Sequence, residues 1–206
     1  MSDLDRALAD ISAMRRQLTQ ATLFRGYGPA ALAATGGVAM LGAAMQAAWI
    51  AAPQREFASY LVLWTLVAIA AIAIIAIEAV RRSSQAHGGL ADDMLKAAAE
   101  QFLPAALAGV LLTAVIGTQV PDAIWMLPGL WQIVLSLGIA AACTSLPRPM
   151  IAVSLWYLGC GLACLVYASG AAALSPWAMG LPFGVGQMLA AVLLKQCFGG
   201  DDGEPA

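Results

Sequence analysis

Several side chains in this chain have the types and spacing that could do chemistry. Glu78 is followed by Arg81 and Arg82 at i+3 and i+4. Cys160 and Cys164 stand four apart on one helical face. Gln132, Tyr157 and Gln187 are polar residues set inside apolar runs. A buried carboxylate could carry a proton or cation, paired thiols could bind metal, and amides with a phenol could line a polar seam. Each has a plainer reading. Glu78 ends an apolar run beside two Arg, as an interfacial ion pair would. Cys160 and Cys164 suit close helix packing. The single histidine, His87, cannot supply both axial ligands of a b-type haem. Asp92 and Asp93 lie near it, in a spacing that solvated loops commonly show. No Gly-x-Ser-x-Gly, His-Glu-x-x-His or phosphate-loop motif is present. The residues therefore indicate no catalytic, cofactor or metal site, and no enzyme.

The elements that hold these residues follow from composition. The chain has 206 residues, 61% hydrophobic and 11% charged, with a net charge of -2. Soluble domains carry roughly 25% charge, so this chain cannot cover a globular surface with solvated groups. Mean hydropathy is +0.80 and the pI is near 5.2, which leaves no basic footprint for nucleic acid. The fold class is all-α and polytopic, because six stretches reach the ~20 residues that cross a bilayer. They run at about 29–50, 58–80, 102–120, 123–143, 150–169 and 174–194.

Hydropathy divides the chain into a cytoplasmic amphipathic helix (1–27), a first hairpin (28–80) and a cytoplasmic loop with a second amphipathic helix (81–101). A second hairpin (102–145), a third (146–197) and an acidic tail (198–206) follow. No signal peptide opens the sequence, so the first span serves as its own insertion signal. Arg55 is the one basic residue on one side, against nine on the other. The positive-inside rule then places both termini in the cytoplasm. Trp49, Phe57, Tyr60, Trp125, Tyr167 and Trp177 fall at the outer ends, where aromatic rings favour the headgroup level. Pro128 and Pro182 are expected to kink the fourth and sixth spans.

The chain also repeats itself. Pro29-Ala-Ala-Leu-Ala33 and Pro104-Ala-Ala-Leu-Ala108 are expected to open the first and third spans. Leu63-Trp64-Thr65 matches Leu130-Trp131-Gln132 in the second and fourth. A fainter third copy pairs Leu127-Pro-Gly, leading to Gln132, with Leu181-Pro-Phe, leading to Gln187.

Residues 3–24 read as a helix. Leu4, Ala7, Ile11, Met14, Leu18 and Ala21 fall on one stripe, with Asp early and Arg15 and Arg16 late, as the macrodipole prefers. The stripe can pack on the second amphipathic helix, lie on the lipid surface or meet a partner. The candidate partner-binding residues on it are Ile11, Met14 and Leu18, and it can pack on Leu90, Met94 and Ala98. Arg15, Arg16, Asp92 and Asp93 would then form an exposed platform for a cytoplasmic protein or for self-association. The stretch from Leu4 through Arg25-Gly-Tyr-Gly-Pro to Gln46 resembles a group of small bacterial multi-pass inner-membrane proteins. The resemblance implies a bacterial inner-membrane setting and carries no activity. The sequence thus favours a regulatory or assembly protein acting through its cytoplasmic helices, with a small transporter or channel for a neutral or apolar solute as the alternative.

The charge split generates a topology prediction. In a Cys-free background, single Cys at positions 55 and 122 should react with an impermeant reagent added to intact cells. Single Cys at 81, 87 and 148 should not. Labelling at 87 without labelling at 55 would reverse the orientation.

Overall fold

The computed structural model describes residues 28–85, 90–143 and 148–198. Six α-helices account for most of them: α1 (Pro29–Trp49), α2 (Phe57–Gln85), α3 (Leu90–Gln119), α4 (Leu127–Ala142), α5 (Ile151–Tyr167) and α6 (Pro176–Phe198). A 3-10 turn, Pro121–Met126, leads into α4. Six segments are long and apolar enough to cross a membrane, and the described residues contain no strand.

Pro29 opens α1 at its first position, where its missing N–H costs nothing. Pro104 differs. It does not open the third span but lies inside α3, which starts at Leu90 and continues unbroken. The segment expected as a separate amphipathic helix is therefore the first part of a 30-residue helix. Its neighbour α2 has 29 residues and runs on through Arg81 to Gln85. At 1.5 Å per residue each is about 44 Å long, beyond a hydrocarbon core of about 30 Å. Pro128 also departs from expectation. It sits in the first turn of α4, after the 3-10 turn, and so starts a helix instead of kinking one.

Packing follows the small residues. The closest helix pairs are α1 with α6 and α4 with α5. A methyl group added to Gly161 would lie 2.7 Å from Gly129 O, and one on Gly129 would lie 2.8 Å from Gly161 O. At the other crossing, a methyl on Gly180 would meet Ala43 Cβ at 2.5 Å and one on Gly36 would meet Gly184 O at 3.0 Å. Backbones touch because no side chain intervenes, the small-residue packing that replaces the hydrophobic effect in lipid. Gly37, by contrast, has nothing within 4 Å of its added methyl.

The outer members are α2 on α1 and α3 on α4, and these two touch each other little. None of α3's spanning stretch and little of α2's is buried. Leu66, Ile69, Ile72, Leu103, Leu107 and Val110 are exposed, a surface suited to acyl chains. Inside, one apolar cluster gathers Leu32, Met150, Val153, Tyr157, Ala190 and Leu194. A second gathers Ala43, Tyr60, Trp64, Leu174 and Met179. Phe183 packs against both.

These crossings are testable. Gly161→Ala puts a carbon against a backbone oxygen that cannot rotate away, and should cost about 1–3 kcal/mol in detergent unfolding. Gly37→Ala meets open space and should leave stability unchanged or slightly raised. Equal effects at the two sites would mean that the crossing is not backbone-tight.

Candidate functional site

Two of the buried polar side chains, Gln46 and Gln132, converge on the start of α6. Pro182 lies inside that helix. It has no N–H, so the carbonyl four residues back, Ala178 O, loses its helical partner. Hydrocarbon offers no substitute. Gln132 of α4 supplies one, its Nε2 donating to Ala178 O at 2.8 Å. The Cys164 thiol of α5 donates to the same oxygen at 3.6 Å. Gln132 Nε2 also lies 3.6 Å from Cys164 Sγ. One turn earlier, Gln46 of α1 donates to Leu174 O at 2.6 Å. Leu174 has φ of 56°, a left-handed conformation that a branched residue rarely takes. Two glutamines thus hold the carbonyl that Pro182 frees and that of Leu174, two residues before α6 begins.

Tryptophans brace the arrangement. Trp64 Nε1 donates to Gln46 Oε1 at 2.7 Å, which satisfies that amide on both ends. Trp131 Nε1 donates to Thr113 Oγ1 at 2.8 Å. Both bonds join residues 18 apart. The second helices of the first two pairs therefore correspond in three dimensions as they do in sequence. The Pro-Ala-Ala-Leu-Ala segments do not, since one opens a helix and the other lies mid-helix. Trp156 Nε1 donates to Pro182 O at 2.9 Å and fixes the other side of the proline.

Tyr60 is the largest departure from expectation. Placed by sequence at the headgroup level, it is instead 0% exposed. Its ring stacks on Trp131 at 6.2 Å and on Phe57 at 6.3 Å. The signal was present: Phe57, Tyr60 and Trp64 recur at i, i+3 and i+7, one inward face of α2. Trp49, Tyr167 and Trp177 are exposed, as belt residues are.

The three expected seam residues divide. Gln132 belongs to the cluster around Ala178. Tyr157 belongs to the other apolar core, where Gly186 leaves room for its ring. Gln187 faces the Tyr157 hydroxyl but closes no hydrogen bond of good geometry with it. The ring of Phe183 lies 5.2 Å from that of Tyr157. The seam is thus two layers with an aromatic residue between them. Tyr60 Oη, Gln132 Oε1 and Tyr157 Oη are buried with no hydrogen-bond partner among the described residues. Pro128 and Pro182, the centres of the proposed third repeat, occupy a helix start and a helix interior.

Of the platform residues, Asp92 and Asp93 fall in the first turn of α3. Ile11, Met14, Arg15, Arg16 and Leu18 lie outside the described residues, as does His87. Arg81 Nη1 approaches Glu78 Oε2 at 4.0 Å, and Arg81 is largely exposed. Such a surface contact contributes little. Among the described residues no three His, Cys, Asp or Glu gather as metal ligands, and the four cysteines are free thiols. What the cluster offers is neutral hydrogen bonding from amide, phenol, indole and thiol.

Gln46→Leu should be the costliest polar substitution in the bundle. It strands both Trp64 N–H and Leu174 O in a dry interior and should lower stability by about 2 kcal/mol or more. Thr113→Val loses one bond at a half-buried position and should cost about 1 kcal/mol. Thermal unfolding with Trp fluorescence as readout separates the two, and an equal loss would show that Gln46 does not brace α6.

No family model matches the chain, and the searches of curated proteins and of solved structures also gave no match.

Proposed function

We propose that the chain is a bacterial inner-membrane protein that acts by contact and not by catalysis, with its working face in the cytoplasm. Three hairpins of like orientation form the anchor, and both termini lie inside. Two amphipathic cytoplasmic helices, residues 3–24 and the first part of α3, cover one another. Ile11, Met14, Arg15, Arg16, Leu18, Asp92 and Asp93 bind a regulatory or assembly partner. The resemblance of residues 4–46 to small bacterial inner-membrane proteins supports the setting.

The observation that carries this reading is the length of α2 and α3. Both continue as unbroken helix past a bilayer's thickness, at the end bearing Arg81. A continuous helix transmits a displacement that a loop would absorb. The bundle behind them is held by backbone contacts and neutral hydrogen bonds, with no acid or base at mid-depth among the described residues. A small transporter for a neutral solute is the second reading. It is favoured by the buried, unpartnered oxygens lying in two layers.

Photocrosslinkers at positions 15 and 92, in native membranes, should capture the same single partner. Positions inside the bundle, such as 132, should capture none. Ile11→Asp should abolish the adducts while leaving insertion intact. Partner capture unaffected by deleting residues 2–24, or neutral-solute uptake into proteoliposomes that Gln132→Leu abolishes, would move the function into the bundle.

A further inference from the structure

We propose that a notch between α3 and α4 at Gly109 holds one acyl chain of a membrane phospholipid, which enters sideways from the bilayer. The site is independent of what the cytoplasmic helices bind.

The internal repeat locates it. A shift of 67 residues carries Trp64 onto Trp131 and Gln46 onto Thr113, the two pairs joined by like indole bonds. The same shift carries Val67 onto Val134 and Gly42 onto Gly109. In the first hairpin that glycine is sealed, since a methyl added to Gly42 would lie 2.6 Å from Val67 Cγ2. In the second, a methyl added to Gly109 would meet nothing within 4 Å. One register position is thus filled by a branched aliphatic side chain in one helix pair and open in its copy.

The opening has ends. On one side of it, Trp131 Nε1 donates to Thr113 Oγ1 at 2.8 Å, and the Thr113 hydroxyl donates to Gly109 O at 2.7 Å. On the other, a methyl on Gly138 would lie 2.9 Å from Phe102 Cε2 and 3.0 Å from Ala105 Cβ. Ala105 and Thr113 are two turns apart, so the notch runs for at most about 12 Å along α3. Gly109 and Val134 are both partly exposed. Ala106, Val110 and Gly117 share the flank of α3 next to Gly109, at about 100° per residue, and Ala106 and Val110 are exposed. A methyl on Gly117 would lie 3.3 Å from Phe57 Cε1, which identifies that flank as the side toward α2. Elsewhere α2 and α3 touch little, so α2 does not close the flank and the notch opens to the bilayer.

Polarity and width select the guest. Neither α4 nor α3 from Phe102 onward has a charged residue. The one hydroxyl beside the notch, that of Thr113, already has both its donor and its acceptor bond. A polar guest would therefore lose its hydration and gain no bond. A helix is about 10 Å across and cannot enter between two helices held together at both ends of the opening. A second copy of the chain would need an interface on the order of 1,200 Å², which a notch two turns long does not supply. An acyl chain is narrow and apolar, and it is the solvent at this depth. It takes the place that the Val67 side chain takes in the other pair.

The test uses the full chain in phosphatidylcholine vesicles. The probe is a phosphatidylcholine with a diazirine at mid-chain, irradiated and mapped by peptide mass spectrometry. Leu107 and Leu111, exposed on α3, should be labelled in every variant and report a folded, inserted protein. Val134 should be labelled in the parent. Gly109→Leu supplies an aliphatic side chain from within the notch and should remove the Val134 adduct while Leu107 and Leu111 stay labelled. Gly109→Ala fills less of the space and should reduce the adduct without removing it. Gly37→Leu also meets open space, but on α1, and should change nothing. A parent without a Val134 adduct, or a Val134 adduct that Gly109→Leu leaves at the parental level, would overturn the site. Disulfide-linked dimers through Gly109→Cys, in an otherwise Cys-free chain, would also overturn it by assigning the notch to a second copy.

Discussion

A backbone carbonyl in hydrocarbon must find a donor within the protein, and Pro182 removes the one that Ala178 O would otherwise have. Much of the interior answers that deficit. Gln132 and Cys164 converge on the freed oxygen, which brings α4 and α5 to α6. Gln46 does the same for Leu174 O from α1 and is itself braced by Trp64 of α2. Three helices are thereby tied directly to residues 174–178, where the chain enters the last helix, and α2 is tied to them through Gln46. The bonds are neutral throughout. They avoid the cost of a charge at depth, and they leave the glycine crossings free to set the helix separations.

Much of this was legible in the sequence, and the parts that were not share a cause. The six spans follow from apolar length, a property that the bilayer enforces segment by segment. The Gly180–Gly184 run could be read as a packing motif, and its backbone does approach α1. The repeat could be read at Trp64 and Trp131 because those indoles make like bonds. It misled at Pro29 and Pro104, where equal letters stand at unequal depths. Tyr60 was misplaced because span ends suit both a headgroup ring and an inward ring. Only the periodicity with Phe57 and Trp64 separates the two. The pairing of Gln132 with Ala178 was not visible, since it depends on which helix lies next to which.

The structure also divides mechanically. The inner members α1, α4, α5 and α6 are cross-tied through side chains to backbone, while α2 and α3 lie outside and meet each other little. These two are also the long ones. The longest helices are therefore the least embedded, and Trp64 and Trp131 make the side-chain hydrogen bonds that join them to α1 and α4.

The closest crossing, α1 against α6, joins the first spanning helix to the last. Ala43 cannot meet Gly180 until 136 intervening residues have been made. At ribosomal speed that is on the order of ten seconds. Throughout that time the small-residue face of α1 lies against lipid or the insertion machinery. A chain that stops short of α6 leaves that face without its mate. Membrane quality control could then tell a finished molecule from a nascent one by whether a single glycine-lined surface is still open.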